Sequence, residues 1–165
     1  MAETFKFKVE GFKELDRQLK QLPGKVARKV GRTAMQRSGR PVRKAVRDEI
    51  RAATKGTGAL RKSIGIKVKL YPRSQSIVAV VGPRTKFMLG GRKPSNYIHL
   101  IERGFTQKTI TTGKGGIVKA DPPIVHPGKH PVEKGWNRSY REALATMRKT
   151  LAEEIPKEAM KLRKH

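Results

Sequence analysis

Two periods of hydrophobic and polar residues run through this chain and divide it into segments of opposite type. Phe5, Phe7 and Val9 alternate with Lys6 and Lys8, the pattern of a short half-buried strand, and Gly11 ends it. From 12 to 22 the period changes: Phe12, Leu15, Leu19 and Leu22 fall at helical spacing, and Pro23-Gly24 closes the segment. Residues 25–54 predict a long helix that Pro41 can kink, with Val26, Val30, Ala34, Val42, Ala45, Val46 and Ala53 on an apolar side. Alternation returns over 60–71, where Ile64, Ile66, Val68 and Leu70 interleave with Gly65, Lys67 and Lys69. A second strand is expected at 76–82, so 62–82 predicts an antiparallel hairpin.

The next segments are less regular. Residues 83–96 are Gly-, Pro- and Lys/Arg-rich loop, and 97–104 predict a short helix closed by Gly104. The stretch 105–131 has little periodicity, three glycines near its centre and four prolines. A loop this long inside a domain is usually a functional arm or disordered. Ile117-Val118 and Ile124-Val125 are its two apolar patches, enough for a short β-ribbon within it. Trp136, Tyr140, Leu144, Met147, Leu151 and Ile155 share one face of a helix expected over 132–155, which Pro156 ends or kinks before a basic tail, 157–165. The resulting expectation is one α+β domain over 1–165. A β-hairpin is packed by a long basic N-terminal helix and a C-terminal helix, and 106–127 form an extended loop or arm.

Charge changes this picture most. The chain carries 39 Lys+Arg against 13 Asp+Glu, a formal net charge of +26. The excess is +12 over 1–63, +10 over 64–130 and +4 over 131–165, so it belongs to the folded body and not to one tail. Such a surplus opposes compaction by self-repulsion and attracts polyanions. Lys25, Lys29, Arg32, Arg40, Arg43, Arg47 and Arg51 fall within a sector about 100° wide of the long helix. Only Asp48 and Glu49 interrupt that helix with negative charge. A merely solvated face usually mixes signs, so this stripe is read as aimed at DNA phosphates or an acidic partner. Because these arginines lie off the apolar side, replacing Arg40, Arg43 and Arg47 together is expected to spare folding.

Candidate chemistry is sparse. With no Cys there is no disulfide or thiolate metal site, and no apolar run approaches the roughly 20 residues of a spanning helix. The N-terminus lacks the apolar core of a signal peptide, so a cytosolic, soluble chain without membrane contact is expected. His126 and His130 have the spacing of a helical metal pair, but Pro127, Gly128 and Pro131 oppose a helix there. His99 beside Glu102 has the makings of a general-base pair, yet more often such a pair is a packing contact. Asp121 is the one carboxylate between Glu102 and Glu133, which leaves little material for a two-carboxylate or two-metal site. No catalytic residue, metal or cofactor is expected.

Three segments in order carry a resemblance: GTGALRKSI at 56–64 after the basic helix, YIHLIERG at 97–104 after the hairpin, and HPVEKGWNRSYREAL at 130–144. Together with the opening segment, they make the chain similar to the tail-completion (head–tail joining, neck) proteins of long-tailed bacteriophages, over residues 4–105 and 128–155. The family's stretches map onto Thr57, Gly58, Leu60, Arg61, Ser63 and Ile64, and onto Tyr97, Leu100, Ile101, Glu102 and Gly104. The sequence departs from the pattern in the longer 106–127 stretch and at Arg103 and Phe105.

The resemblance implies a non-catalytic virion subunit, assembled in the host cytoplasm, that repeats as a homo-oligomeric ring, sixfold in the virion. Its partners would be tail terminator, head-closure and tail-tube or tape-measure proteins, with genomic DNA passing through the lumen. Phe105, Lys108, Lys114, Ile117, Val118, Lys119 and Ile124 are the candidate contacts of the assembly arm. Two other readings stand beside it: a tail terminator, and a sequence-independent nucleic-acid-binding protein. The scattered aromatics Tyr71, Phe87, Tyr97 and Phe105 weigh against the latter, because single-strand binders display aromatic platforms.

Overall fold

The long helix grows from its own sequence, and its buried side explains much of the fold. The computed structural model describes residues 13–54, 58–71, 76–111 and 115–162. The strand expected at 5–9, along with Phe12, Thr57 and Lys114, lies outside the described residues. Element order is α1 (Lys13–Lys20), α2 (Gly24–Ala53), α3 (Ala59–Ser63), β1 (Ile64–Tyr71), β2 (Ser76–Pro83), a 3₁₀ turn (Pro94–Asn96), α4 (Ile98–Arg103), β3 (Gly104–Thr111), β4 (Ile117–Pro127) and α5 (Pro131–Leu162). β1 pairs with β2 and β3 with β4, giving two separate antiparallel hairpins in an α+β fold.

Apart from Gly31 and Gly39, the buried residues of α2 recur every fourth position: Val30, Ala34, Ser38, Val42, Val46 and Ile50. Four residues turn a helix by about 400°, so a row of that spacing precesses by about 40° per step. The buried side of α2 therefore winds around the helix instead of keeping to one sector. Pro41 sits within the helix, which runs on unbroken.

The chain forms two compact units. The first holds Met1–Gly39, Lys67–Val80 and Arg141–His165. Its core joins Val30 and Ala34 of α2 to Leu151 and Ile155 of α5, with Leu15, Leu19, Leu22, Val26 and Met147 against them. Fully burying a side chain of this kind contributes about 1.5–3 kcal/mol. Gly31 leaves room for the Ile77 side chain of β2, where a Cβ would collide with its terminal methyl. The helix expected to stop or kink at Pro156 continues to Leu162, so much of the supposed basic tail is ordered helix. Ile155 anchors this turn in the core. Glu158, only 8% exposed, accepts from Lys29 Nζ at 3.1 Å and Lys161 Nζ at 2.8 Å.

The second unit holds Arg40–Ile66 and Val81–Tyr140. Here α5 meets α2 almost backbone to backbone: a Cβ on Gly135 would stand 2.7 Å from Cα and N of Val46. Ile50 and Ile64 are fully buried, and Ala59 and Leu60 nearly so. The helix α3 was not expected. It spans 59–63 and takes the first four residues of the strand expected over 60–71, which begins at Ile64. Lys129 Nζ donates to Ala53 O at 2.7 Å and so closes the C-terminal end of α2.

Residues 106–127, expected as an extended loop, form most of a long antiparallel ribbon. Its register pairs Gly104 with Pro127, Phe105 with His126, Gln107 with Ile124, and Thr111 with Ile117. The ladder is irregular between Gln107 and Thr109, where residues 120–123 form a bulge opposite Lys108. Ile117-Val118 and Ile124-Val125 thus lie along one strand, each paired across to β3, and not with each other.

Candidate functional site

The residues of the 97–104 segment hold the base of the ribbon. α4 ends at Gly104 (φ 80°), whose N–H donates to Leu100 O. A Cβ there would strike the carbonyl oxygen of His126 and stand 2.6 Å from Gly128 N. Gly128 is equally confined, since a Cβ on it would lie 2.6 Å from Glu102 O. Only glycine lets the two chain segments pass this closely. Lys129 N bonds to Ile101 O at 2.9 Å, and Phe105 stacks on His126 with ring centres 4.5 Å apart.

Glu102 has a definite task. Its two carboxylate oxygens accept from Val132 N at 2.9 Å and Glu133 N at 3.1 Å, the first free N–H groups of α5 after Pro131. A carboxylate at this position satisfies orphan donors and meets the positive end of the helix dipole, a capping effect of about 1 kcal/mol. His99 is exposed on α4. Glu102, His130 and Glu133 bring their ligand atoms within 4.8 Å of one another, and His130 Nδ1 lies 3.3 Å from Glu133 Oε2. Both oxygens of Glu102 are already committed to the helix end, so this group reads as a cap and not a metal centre. His126 instead faces Gln107 Oε1 at 3.1 Å.

The 57–64 motif is also built into the packing. Gly58 takes φ 73° at the N-terminal cap of α3, Leu60 is buried, and Ser63 Oγ donates to Leu60 O at 2.6 Å. Ile64 is buried and its carbonyl accepts from Arg47 Nη2 at 2.8 Å. Arg61 alone among these is exposed.

The basic stripe of α2 divides. In the first unit Lys25 and Arg32 are exposed, while Lys29 is paired with buried Glu158. In the second unit Arg40 and Arg51 are exposed, but Arg43 and Arg47 are half-buried. The winding of the buried row brings it round to the sector the stripe occupies, so Arg47 is drawn against α3 and β1. Its Nε is buried and has no hydrogen-bond partner among the described residues. Burial, then the like charges of Arg43, Arg84 and Arg61, push its guanidinium below the ordinary arginine value. Arg84, absent from the predicted site, belongs with this group. Its Nη2 donates to Lys62 O at 3.1 Å, its Nε points at Ser63 O at 3.4 Å, and its guanidinium lies 4.9 Å over the ring of Phe87. The signal for it was Gly65: a Cβ there would stand 2.9 Å from Arg84 Cγ, so the stem of Arg84 occupies the space glycine leaves.

The arm residues are laid out along the ribbon. Phe105, Ile110, Val118 and Ile124 are exposed, and Ile117 and Val125 are 75% and 71% exposed. Lys108 and Lys119 are exposed too, and Ala120 is the one buried residue of β4.

The family described as "Bacteriophage HK97-gp10, putative tail-component" (HK97-gp10-like) matches residues 13–104, more than half of the chain. No curated protein and no solved structure matches it.

Proposed function

Because the chain belongs to the HK97-gp10-like family of phage tail components, we propose that it is a non-catalytic structural subunit at the top of the tail. It repeats as a ring, sixfold in the virion, that completes the tail and joins it to the head around the DNA channel. The β3–β4 ribbon carries this reading. A two-stranded hairpin is marginal by itself in water, and this one leaves six large apolar side chains exposed. Such a ribbon gains most by laying those residues on a neighbouring subunit or on a terminator, closure or tube protein. The exposed cations of α2, Lys25, Arg32, Arg40 and Arg51, suit a face turned to passing DNA or an acidic neighbour. Diffuse cations of this kind give attraction without sequence preference.

The geometry also defines a clean test. Since Gly104 and Gly128 adjoin, removing 106–127 brings together ends that are already in contact. The shortened chain is expected to fold as a monomer, checked by circular dichroism and sedimentation, and to fail to join tails to filled heads. Normal infectivity from phage carrying the deletion would refute the role of the ribbon.

A further inference from the structure

We propose that Arg43, Arg47, Arg61 and Arg84 form a recognition site for the phosphodiester backbone of duplex DNA. Three separate elements bring them together. Arg43 and Arg47 stand one turn apart on α2, Arg61 lies on α3, and Arg84 follows β2. Arg47 and Arg84 are fixed by consecutive carbonyls at the end of α3: Ile64 O takes Arg47 Nη2, while Lys62 O and Ser63 O face Arg84. Phe87 lies under the Arg84 guanidinium, and the gap at Gly65 holds its stem.

Fixing two guanidiniums this way is one task a protein sets arginine, and it explains two of the four. It leaves Arg43 and Arg61 without a structural role. It also leaves the group without a counter-charge. Among the described residues no carboxylate pairs with any of the four, although elsewhere Lys29, Arg37 and Arg138 each have a glutamate. Like charges at i, i+4 oppose folding, so Arg43 and Arg47 carry a cost that an incoming anion would relieve. The carbonyls occupy only a minority of the five N–H donors on each guanidinium. Those left are planar forks of the geometry that grips phosphate oxygens in pairs.

Four clustered positive charges, two of them held by carbonyls, with no paired acid among the described residues favour a repeating or multiply charged anion over a single carboxylate. Four guanidiniums carried by three elements meet the charged backbone first, and contacts to it are independent of sequence. The site deepens the DNA-facing part of the proposed role, and it can fail separately from it. The ribbon-deleted chain is expected to bind DNA like the full chain, and the arginine variants are expected to retain assembly.

The test is titration of the full-length chain with a fluorescently labelled DNA duplex at several salt concentrations. The pair Arg43→Gln/Arg61→Gln removes the two arginines whose side chains make no hydrogen bond among the described residues, so folding is expected to hold, as a thermal melt would verify. It should weaken binding about tenfold or more and lower the slope of log affinity against log salt by about two, at roughly 0.9 per phosphate contact. The control pair Lys149→Gln/Lys157→Gln removes the same charge from exposed positions of α5 and should change affinity less than about twofold. Gly65→Ala leaves the net charge unchanged but displaces the Arg84 stem, and should weaken binding several-fold. Equal losses in the two Gln pairs, or an unaffected Gly65→Ala chain, overturn the proposal. So does poly-glutamate of matched length binding more tightly than DNA through Arg43 and Arg61, which would assign the site to an acidic protein.

Discussion

The two halves of α2 carry the same basic spacing and put it to different use. In the N-terminal half, Lys25 and Arg32 point to solvent and Lys29 is neutralised by Glu158. In the C-terminal half, Arg43 and Arg47 are half-buried in a group of arginines with which no carboxylate pairs among the described residues. Regular spacing of charge does not define a face when the buried row beside it winds. A four-residue repeat of small and apolar residues turns through more than half a circle between Val30 and Ile50, so a fixed sector is remote from the core at one end and adjoins it at the other.

The difference predicts graded responses. The largest is expected at Arg47. Arg47→Glu replaces a half-buried donor by a carboxylate facing the Ile64 carbonyl, and should cost about 2–4 kcal/mol in urea unfolding. A loss below about 0.5 kcal/mol would place Arg47 on a plain solvated surface and erase the contrast between the halves.

The next concerns acid. Hydrogen bonds from Lys161 and then Lys29 hold the Glu158 carboxyl below its ordinary value of 4.5. A depressed folded-state value means that the stabilisation is complete above 4.5 and fades as pH falls through the lower folded value. Glu158→Gln should therefore flatten the acid limb of the stability curve below about pH 4.5, seen in thermal melts across that range. An unchanged limb would mean that the Lys29 pair does not hold the last turns of α5. The smallest effect is expected for Lys25→Glu and Arg32→Glu, each within about 0.5 kcal/mol of the parent chain by the same unfolding measurement.

Where the pattern is long and one-sided, the sequence made the fold legible. α2 and α5 follow from repeated apolar positions with a buried face, and the β1–β2 hairpin from the alternation of β1, where Ile64 is buried and Lys67 and Lys69 are exposed. The ribbon escaped because both of its faces are largely exposed, so no alternation of burial marks the strands, and the prolines at 122 and 123 read as loop. α3 was hidden by its length: residues 59–63 run straight into the alternation from Ile64. Pro156 removes one N–H, but Ile155 in the core and Glu158 between two lysines keep the helix going past it. The tyrosine–glutamate–glycine segment was visible as a motif, while the service Glu102 performs for α5 depends on a helix that starts about thirty residues later. The arginine group was only half visible. Arg43 and Arg47 share a helix, but no spacing rule connects them to Arg61 and Arg84, which chain topology brings to the same end of α3.

The paired glycines where the ribbon departs have a further consequence. Entry and exit strands are pinned side by side, so the distance between them is set before the outer rungs begin. Length, composition and tip can then be rewritten without disturbing the anchorage, which makes the ribbon a graft site: an epitope tag or a rung-lengthened version should be accommodated by the same body, and its reach could be adapted to a new neighbour one rung at a time.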